Sequence, residues 1–192
     1  MAKYQSLPTT VIQNQHTLLH LHHLPELVHL DDPALSIMID FTKVPPHTIH
    51  ATQTIDDAIA EMRATGTHLL LVINNAGFFQ GIVSSEDVWG EKPIQLINER
   101  RVDRDQIQVK MIMSPQFDIT VLNFHTIESA RVGHVVKTLA ENRKHYALVV
   151  EPNGDNDTKI IRGIFNASQI SKQLHHDLSG IINGTESLSD IS

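Results

Sequence analysis

The chain has 192 residues, 41% of them hydrophobic, enough to bury one core or two small ones. It contains no cysteine, which excludes disulfide scaffolds, thiol nucleophiles and cysteine-held metals, and 15 Lys and Arg against 22 Asp and Glu give a formal charge of −7 that argues against a broad phosphate-binding surface. The first 30 residues carry Lys3 but no arginine, and His16, His20, His22 and His23 interrupt their apolar positions, so neither a signal-peptide core nor a membrane span is predicted and a cytoplasmic protein is expected.

In chain order, residues 1–32 lack a clean period and are expected to form an arm lying on the body or on a partner. An extended stretch at 48–51 comes before Thr54, which can cap a helix carrying Ile55, Ala58, Ile59 and Met62 at helical spacing and closed by Gly66. Residues 68–73 are too short and too continuously apolar for a surface helix and read as a buried strand. The turn NNAG at 74–77 returns the chain along a second strand at 78–83. Ser84, followed three positions later by Asp87, is the S-x-x-D pattern of a helix capping box, in which Ser84 accepts from a backbone N–H and Asp87 sits in the positive first turn. Residues 91–108 form a connector whose Arg100, Arg101 and Arg104 alternate with Glu99, Asp103 and Asp105, the pattern of a solvated face. Then come an extended stretch at 118–122, a helix over 126–142, a hairpin over 145–165, a helix over 167–178 and a polar, Ser-rich tail at 179–192 expected to be loose.

The second series echoes the first. TIDDA at 54–58 returns as TIESA at 126–130, HLLLVIN at 68–74 as HYALVVE at 145–151, and GIVSSEDV at 81–88 as GIFNASQI at 163–170. The order is kept while the offset grows from 72 to 77 to 82 residues, which places insertions in the helix around 131–137 and in the turn at 152–159. Each unit reads strand, helix, strand, strand, helix. One copy alone leaves a sheet face bare, so the two are expected to pack together.

With the lead-in phrases ALSIMID at 34–40 and VKMIMSP at 109–115, the doubled unit and its strand pair ending in Gly-Ile-Val-Ser-x-x-Asp resemble a tandem pair of CBS domains, the regulatory module named after cystathionine beta-synthase. The connector and ARVGHVV at 130–136 are similar to a stand-alone bacterial subgroup. The resemblance implies an α+β fold of two pseudo-twofold-related β-α-β-β-α repeats packed sheet to sheet. The first repeat would occupy 33–90 and the second 109–178, flanked by the arm at 1–32 and the tail at 179–192. It also implies ligand binding without catalysis: an adenine nucleotide such as AMP, ADP or ATP, or S-adenosylmethionine, held between the repeats. Asp87 would take the ribose hydroxyls with Ser84 beside it, a role suited to a carboxylate that accepts two donors at a helix start. His68 and Ile82 from the first repeat, with Ser114, Ile119, Lys144 and His145 from the second, would complete the site, Lys144 as the phosphate contact. The second copy has Asn166 and Gln169 where the first has Ser84 and Asp87, and a neutral amide loses the charge-assisted pairing with a diol, which predicts one competent cleft and one weak or empty one. A homodimer acting on a separate, unidentified protein is expected, with neither nucleic acid nor membrane as partner.

Two other readings stand beside this one. Ser84 and Asp87 can serve as a cap alone, in a structural or interaction dimer with vacant clefts, and His68 and His145 can be packed strand-end histidines. Thirteen histidines raise metal binding, chiefly at His16, His20, His22 and His23, with His175 and His176 towards the other end. HExxH is absent and adjacent histidines point different ways, so no metal site is assigned. Nor does any nucleophile elbow, phosphate-binding loop or carboxylate pair single out a catalytic residue.

Overall fold

A computed structural model describes residues 24–153 and 156–188; His16, His20, His22 and His23 lie outside the described residues. The chain enters as an irregular strap over 24–33, passes a 3-10 turn at Ala34–Ile37, and forms β1 (Ile39–Asp40) and β2 (Thr48–His50). Helix α1 (Ile55–Thr65) follows, then β3 (Leu69–Ile73), β4 (Phe79–Ser84) and α2 (Ser85–Trp89). The connector contains α3 (Glu91–Arg100) and leads to β5 (Ser114–Pro115). The second half contains β6 (Val121–Asn123), α4 (Phe124–Glu128), α5 (Val132–Asn142), β7 (Tyr146–Asn153), β8 (Asn156–Asn166), α6 (Ala167–Leu174) and α7 (Ser179–Asn183).

The strands build two four-stranded sheets, ordered β2-β3-β4-β5 and β1-β8-β7-β6. In each, a parallel pair (β2 with β3, β6 with β7) is followed by an antiparallel hairpin. The outer strand in each sheet comes from the other half: β5 pairs with β4, and β1 pairs with β8. This exchange explains the glycine in both GI phrases. A Cβ on Gly81 would collide with the Ser114 carbonyl oxygen, and one on Gly163 would lie 2.5 Å from the Ile39 carbonyl oxygen, so only glycine lets the crossing strand approach.

Alternation along the inner strands sorts side chains between three cores. Leu70, Val72 and Val83 face α1 with Ile55, Ala58 and Met62, while Ala147, Val149 and Phe165 face α5 and α6 with Val135, Leu139 and Ile170. The alternate positions Leu71, Ile82, Leu148 and Ile164 meet between the sheets, together with Ile119. Strands buried on both faces need continuous apolar runs, which is why 69–73 and 146–150 do not alternate with polar residues. Each fully buried aliphatic side chain contributes about 1.5–3 kcal/mol.

Three expectations change. No continuous helix spans 126–142; α4 ends at Glu128 and α5 starts at Val132. The strap causes the break. Ala34 N donates to Ala130 O and Val132 N to Asp32 O, both at 2.9 Å, and Pro33 bridges Arg131, drawing 130–132 into an extended path. The structural counterpart of α1 is therefore α5, 77 residues on, and TIESA belongs to an inserted turn of helix instead of matching TIDDA. The leading strand of the second unit is Val121–Asn123, because residues 116–118 form a 3-10 turn. Finally, the tail is ordered over α7, whose Ile181 and Ile182 are 4% and 1% exposed in the core against α5.

Candidate functional site

The starts of β3 and β7 and of α2 and α6 meet at one edge of the two sheets. In each half the first residue of the closing helix is tied to the residue before the strand: Ser85 N donates to His68 O (2.9 Å) and Ala167 N to His145 O (2.8 Å). Between them lies a cavity of about 480 Å³. His68 and Leu69 face it from one repeat and their counterparts His145 and Tyr146 from the other; Ser84 and its counterpart Asn166 do the same, so the cavity straddles the axis relating the repeats. Six of the eight residues expected at the binding site line it: His68, Ser84, Asp87, Ser114, Lys144 and His145.

The other two do not. Ile82 is fully buried, its position in β4 facing the core between the sheets, and Ile119, just after the 3-10 turn at 116–118, is 8% exposed in the same core. Gln169 lies on α6 outside the wall, whereas Asn166 caps that helix, its Oδ1 accepting from Ser168 N at 3.0 Å.

At Ser84 and Asp87 the capping box is complete. Asp87 N donates to Ser84 Oγ (3.2 Å), and Asp87 Oδ2 accepts from Ser84 N and Ser84 Oγ, both at 2.9 Å. The other oxygen, Oδ1, accepts from Lys92 Nζ at 2.5 Å. Thr54 and Asp57 make the same box at the start of α1, outside the cavity lining, and the Thr54 backbone and hydroxyl donors hold the Asp57 carboxyl below its usual range. Capping alone therefore does not distinguish Asp87 from Asp57; its place in the cavity wall does.

Across the cavity, Lys144 Nζ donates to Asp118 Oδ1 at 2.9 Å, which neutralises the expected phosphate contact in part. Arg143 has no ion pair among the described residues and also lines the cavity. Its φ of +51° places it in the left-handed region, at the position where α1 ends in Gly66 with φ +68°. A non-glycine residue costs about 1–2 kcal/mol there. Tyr146 closes the floor. Burial pushes its hydroxyl above the usual phenol range, a hydrogen bond with Ser114 works the other way, and the charges of Asp87, Asp118 and Glu86 raise it further, so it stays a neutral donor at pH 7. Arg143, Tyr146 and Lys92 were not picked out from sequence. The offset of 77 from Gly66 was the available signal for Arg143.

A smaller apolar slot of about 220 Å³ shares Leu69 and Asn166 with this cavity and is walled by Ile39, Phe41, Val44 and Pro45. It is the pseudo-equivalent of the space beside Ser84, with the Asn166 amide in place of that hydroxyl and no acid in its lining. Among the described residues, no three His, Asp or Glu are grouped to hold a metal, and no helix is long and apolar enough to cross a membrane.

Residues 36–88, from the lead-in through α2, match the family model of the CBS domain. Over that segment the chain is similar to a CBS domain. Solved structures extend the CBS fold beyond that segment. A CBS domain protein of unknown function from Thermoplasma acidophilum has 19% identity and a TM-score of 0.53, over 77% of this chain and 76% of that one. An uncharacterised conserved protein from Pyrococcus horikoshii has 20% identity and a TM-score of 0.51, over 74% of this chain and 92% of that one. The CBS domain of a bacterial CNNM/CorC family Mg²⁺ transporter, solved in complex with ATP, has 18% identity and a TM-score of 0.51, over 76% and 89%. At these identities the likeness establishes the shared CBS fold. No curated protein matches the chain in sequence.

Proposed function

We propose that the chain is a regulatory, non-catalytic module of the cytoplasm that senses an adenine nucleotide or adenosine derivative in the cavity between its CBS repeats. The observation that carries this reading is the convergence of a carboxylate at a helix start, Asp87, and His68 beside it with Arg143, Lys144 and His145 from the opposite repeat in one cavity. A ribose diol needs the first and phosphates suit the second. The ATP complex of the CNNM/CorC CBS domain supports the ligand class. Asn166 offers the neighbouring slot no acid, so the Asp87 side is the competent one. The module acts as a homodimer on a separate effector protein; Trp89 and Ile94, 60% and 57% exposed on α2 and α3, are surface it has available for association.

Thermal melting with AMP, ADP, ATP and S-adenosylmethionine tests the reading. A ligand at one hundred times its dissociation constant adds about 2.7 kcal/mol, or about 5–10 °C for a chain of this size. Asp87→Ala should abolish the shift, whereas Asp57→Ala, which removes an equivalent cap away from the cavity, should leave it intact. If no adenosine ligand moves the melt, the second reading stands: a structural dimer in which Asp87 only caps. That alternative is favoured by one specific observation, the engagement of both Asp87 oxygens in the free protein.

A further inference from the structure

Asp87 cannot receive a diol as it stands. A carboxylate offers about four lone-pair sites, two on each oxygen. Oδ2 already holds two donors, Ser84 N and Ser84 Oγ, and Oδ1 holds Lys92 Nζ, leaving room for one hydroxyl only. One donor must leave before two hydroxyls can bind. Neither Ser84 donor leaves cheaply: the N–H and the hydroxyl, which itself accepts from Asp87 N, both belong to the cap of a part-buried helix start. Lys92 does: its side chain is 48% exposed, and water takes the ammonium back readily.

We infer that Lys92 is a built-in competitor for the ligand's ribose, and that its displacement unlatches α3. This rests on the nucleotide reading above. Lys92 Nζ has a second tie, donating to Ile112 O at 2.8 Å, two residues before the cavity residue Ser114. One ammonium thus pins the first turn of α3 to α2 and to the lead-in crossing into the first sheet. A cation in a helix's first turn opposes the helix dipole, so α3 keeps Lys92 there only through these two acceptors. When hydroxyls take Oδ1, Lys92 loses its anionic partner, and the connector helix loses its attachment to the site. The outer face of α3 carries Ile94 and Ile97, 57% and 37% exposed, so loosening it changes surface that a partner can read.

Lys92→Met keeps the aliphatic stem and removes the competitor. It should bind AMP or ATP about threefold to tenfold more tightly than wild type by calorimetry. Hydrogen exchange supplies the second readout: amides of α3 should exchange faster in unliganded Lys92→Met, and in wild type on adding ATP. Weaker binding by Lys92→Met would make Lys92 a direct ligand contact and overturn the inference, as would unchanged affinity. If neither protein binds any adenosine ligand, the nucleotide reading fails by itself; unaltered α3 exchange in unliganded Lys92→Met would then overturn the latch independently. Binding by Lys92→Met alone would support both, with wild type held shut.

Discussion

The crossing of β1 into the second sheet hangs on Asp40, and removing its charge should weaken the fold by an amount the structure sets. Asp40 is 5% exposed. Its Oδ1 accepts from Arg162 Nε at 2.9 Å and from Thr42 N and Oγ1, and Oδ2 from Arg162 Nη2 at 3.3 Å. Arg162 also donates to Glu151 Oε2 at 3.0 Å and lies 4.6 Å over the Phe124 ring. Burial alone would raise the Asp40 carboxyl, but the Arg162 and Thr42 donors outweigh it and bring it from 3.8 to about 2. That depression corresponds to about 2 kcal/mol of folded-state stability at neutral pH. The sign follows from the direction: a lowered folded value stabilises above the unfolded value near 4, and the contribution is lost as pH falls through about 2. Asp40→Asn should therefore cost about 2 kcal/mol at pH 7, about 4–8 °C in melting. Urea unfolding of both proteins from pH 7 down to pH 2.5 should show the gap narrowing below pH 4. Equal stability at pH 7, or a gap that does not narrow in acid, would refute the claim that this ion pair holds the crossing strand.

Gly81→Ala and Gly163→Ala should each cost several kcal/mol in urea unfolding, because the new methyl meets a carbonyl oxygen; Gly77→Ala, at φ +81° in open space, should cost only about 1 kcal/mol. Ile182→Ala should destabilise by about 2–4 kcal/mol, which would be absent if the tail were loose. Arg143→Gly should relieve the left-handed backbone and raise the melting temperature by a few degrees while weakening binding of ATP more than of adenosine, read by calorimetry.

The repeats were legible because both halves bury their strands on two faces, so HLLLVIN and HYALVVE keep the same apolar grammar. Thr54, Gly66 and Ser84 announced their helix ends through local chemistry alone, and Ser84, Asp87, His68 and His145 reached the cavity as their positions in the repeat imply. What escaped was non-local. TIESA looks like TIDDA, yet the strap's backbone hydrogen bonds, made by residues one hundred positions away, decide that 130–132 is extended. Ile82 and Ile119 lie in the core between the sheets and not in the cavity wall, because a resemblance carries residue types but not which way each side chain packs. Lys92 and Arg143 carry no local pattern of their own; only the packing of α3 and the turn after α5 brings them to the site.

The swapped outer strands constrain how this protein can respond to anything it binds. Jaw-like separation of the two halves would have to strip β1 from β8 and β5 from β4 together, and with them the buried Asp40 carboxylate. Any response to a bound molecule would instead run through small pieces that can move without unzipping a sheet, such as an exposed side chain, a short helix or a turn.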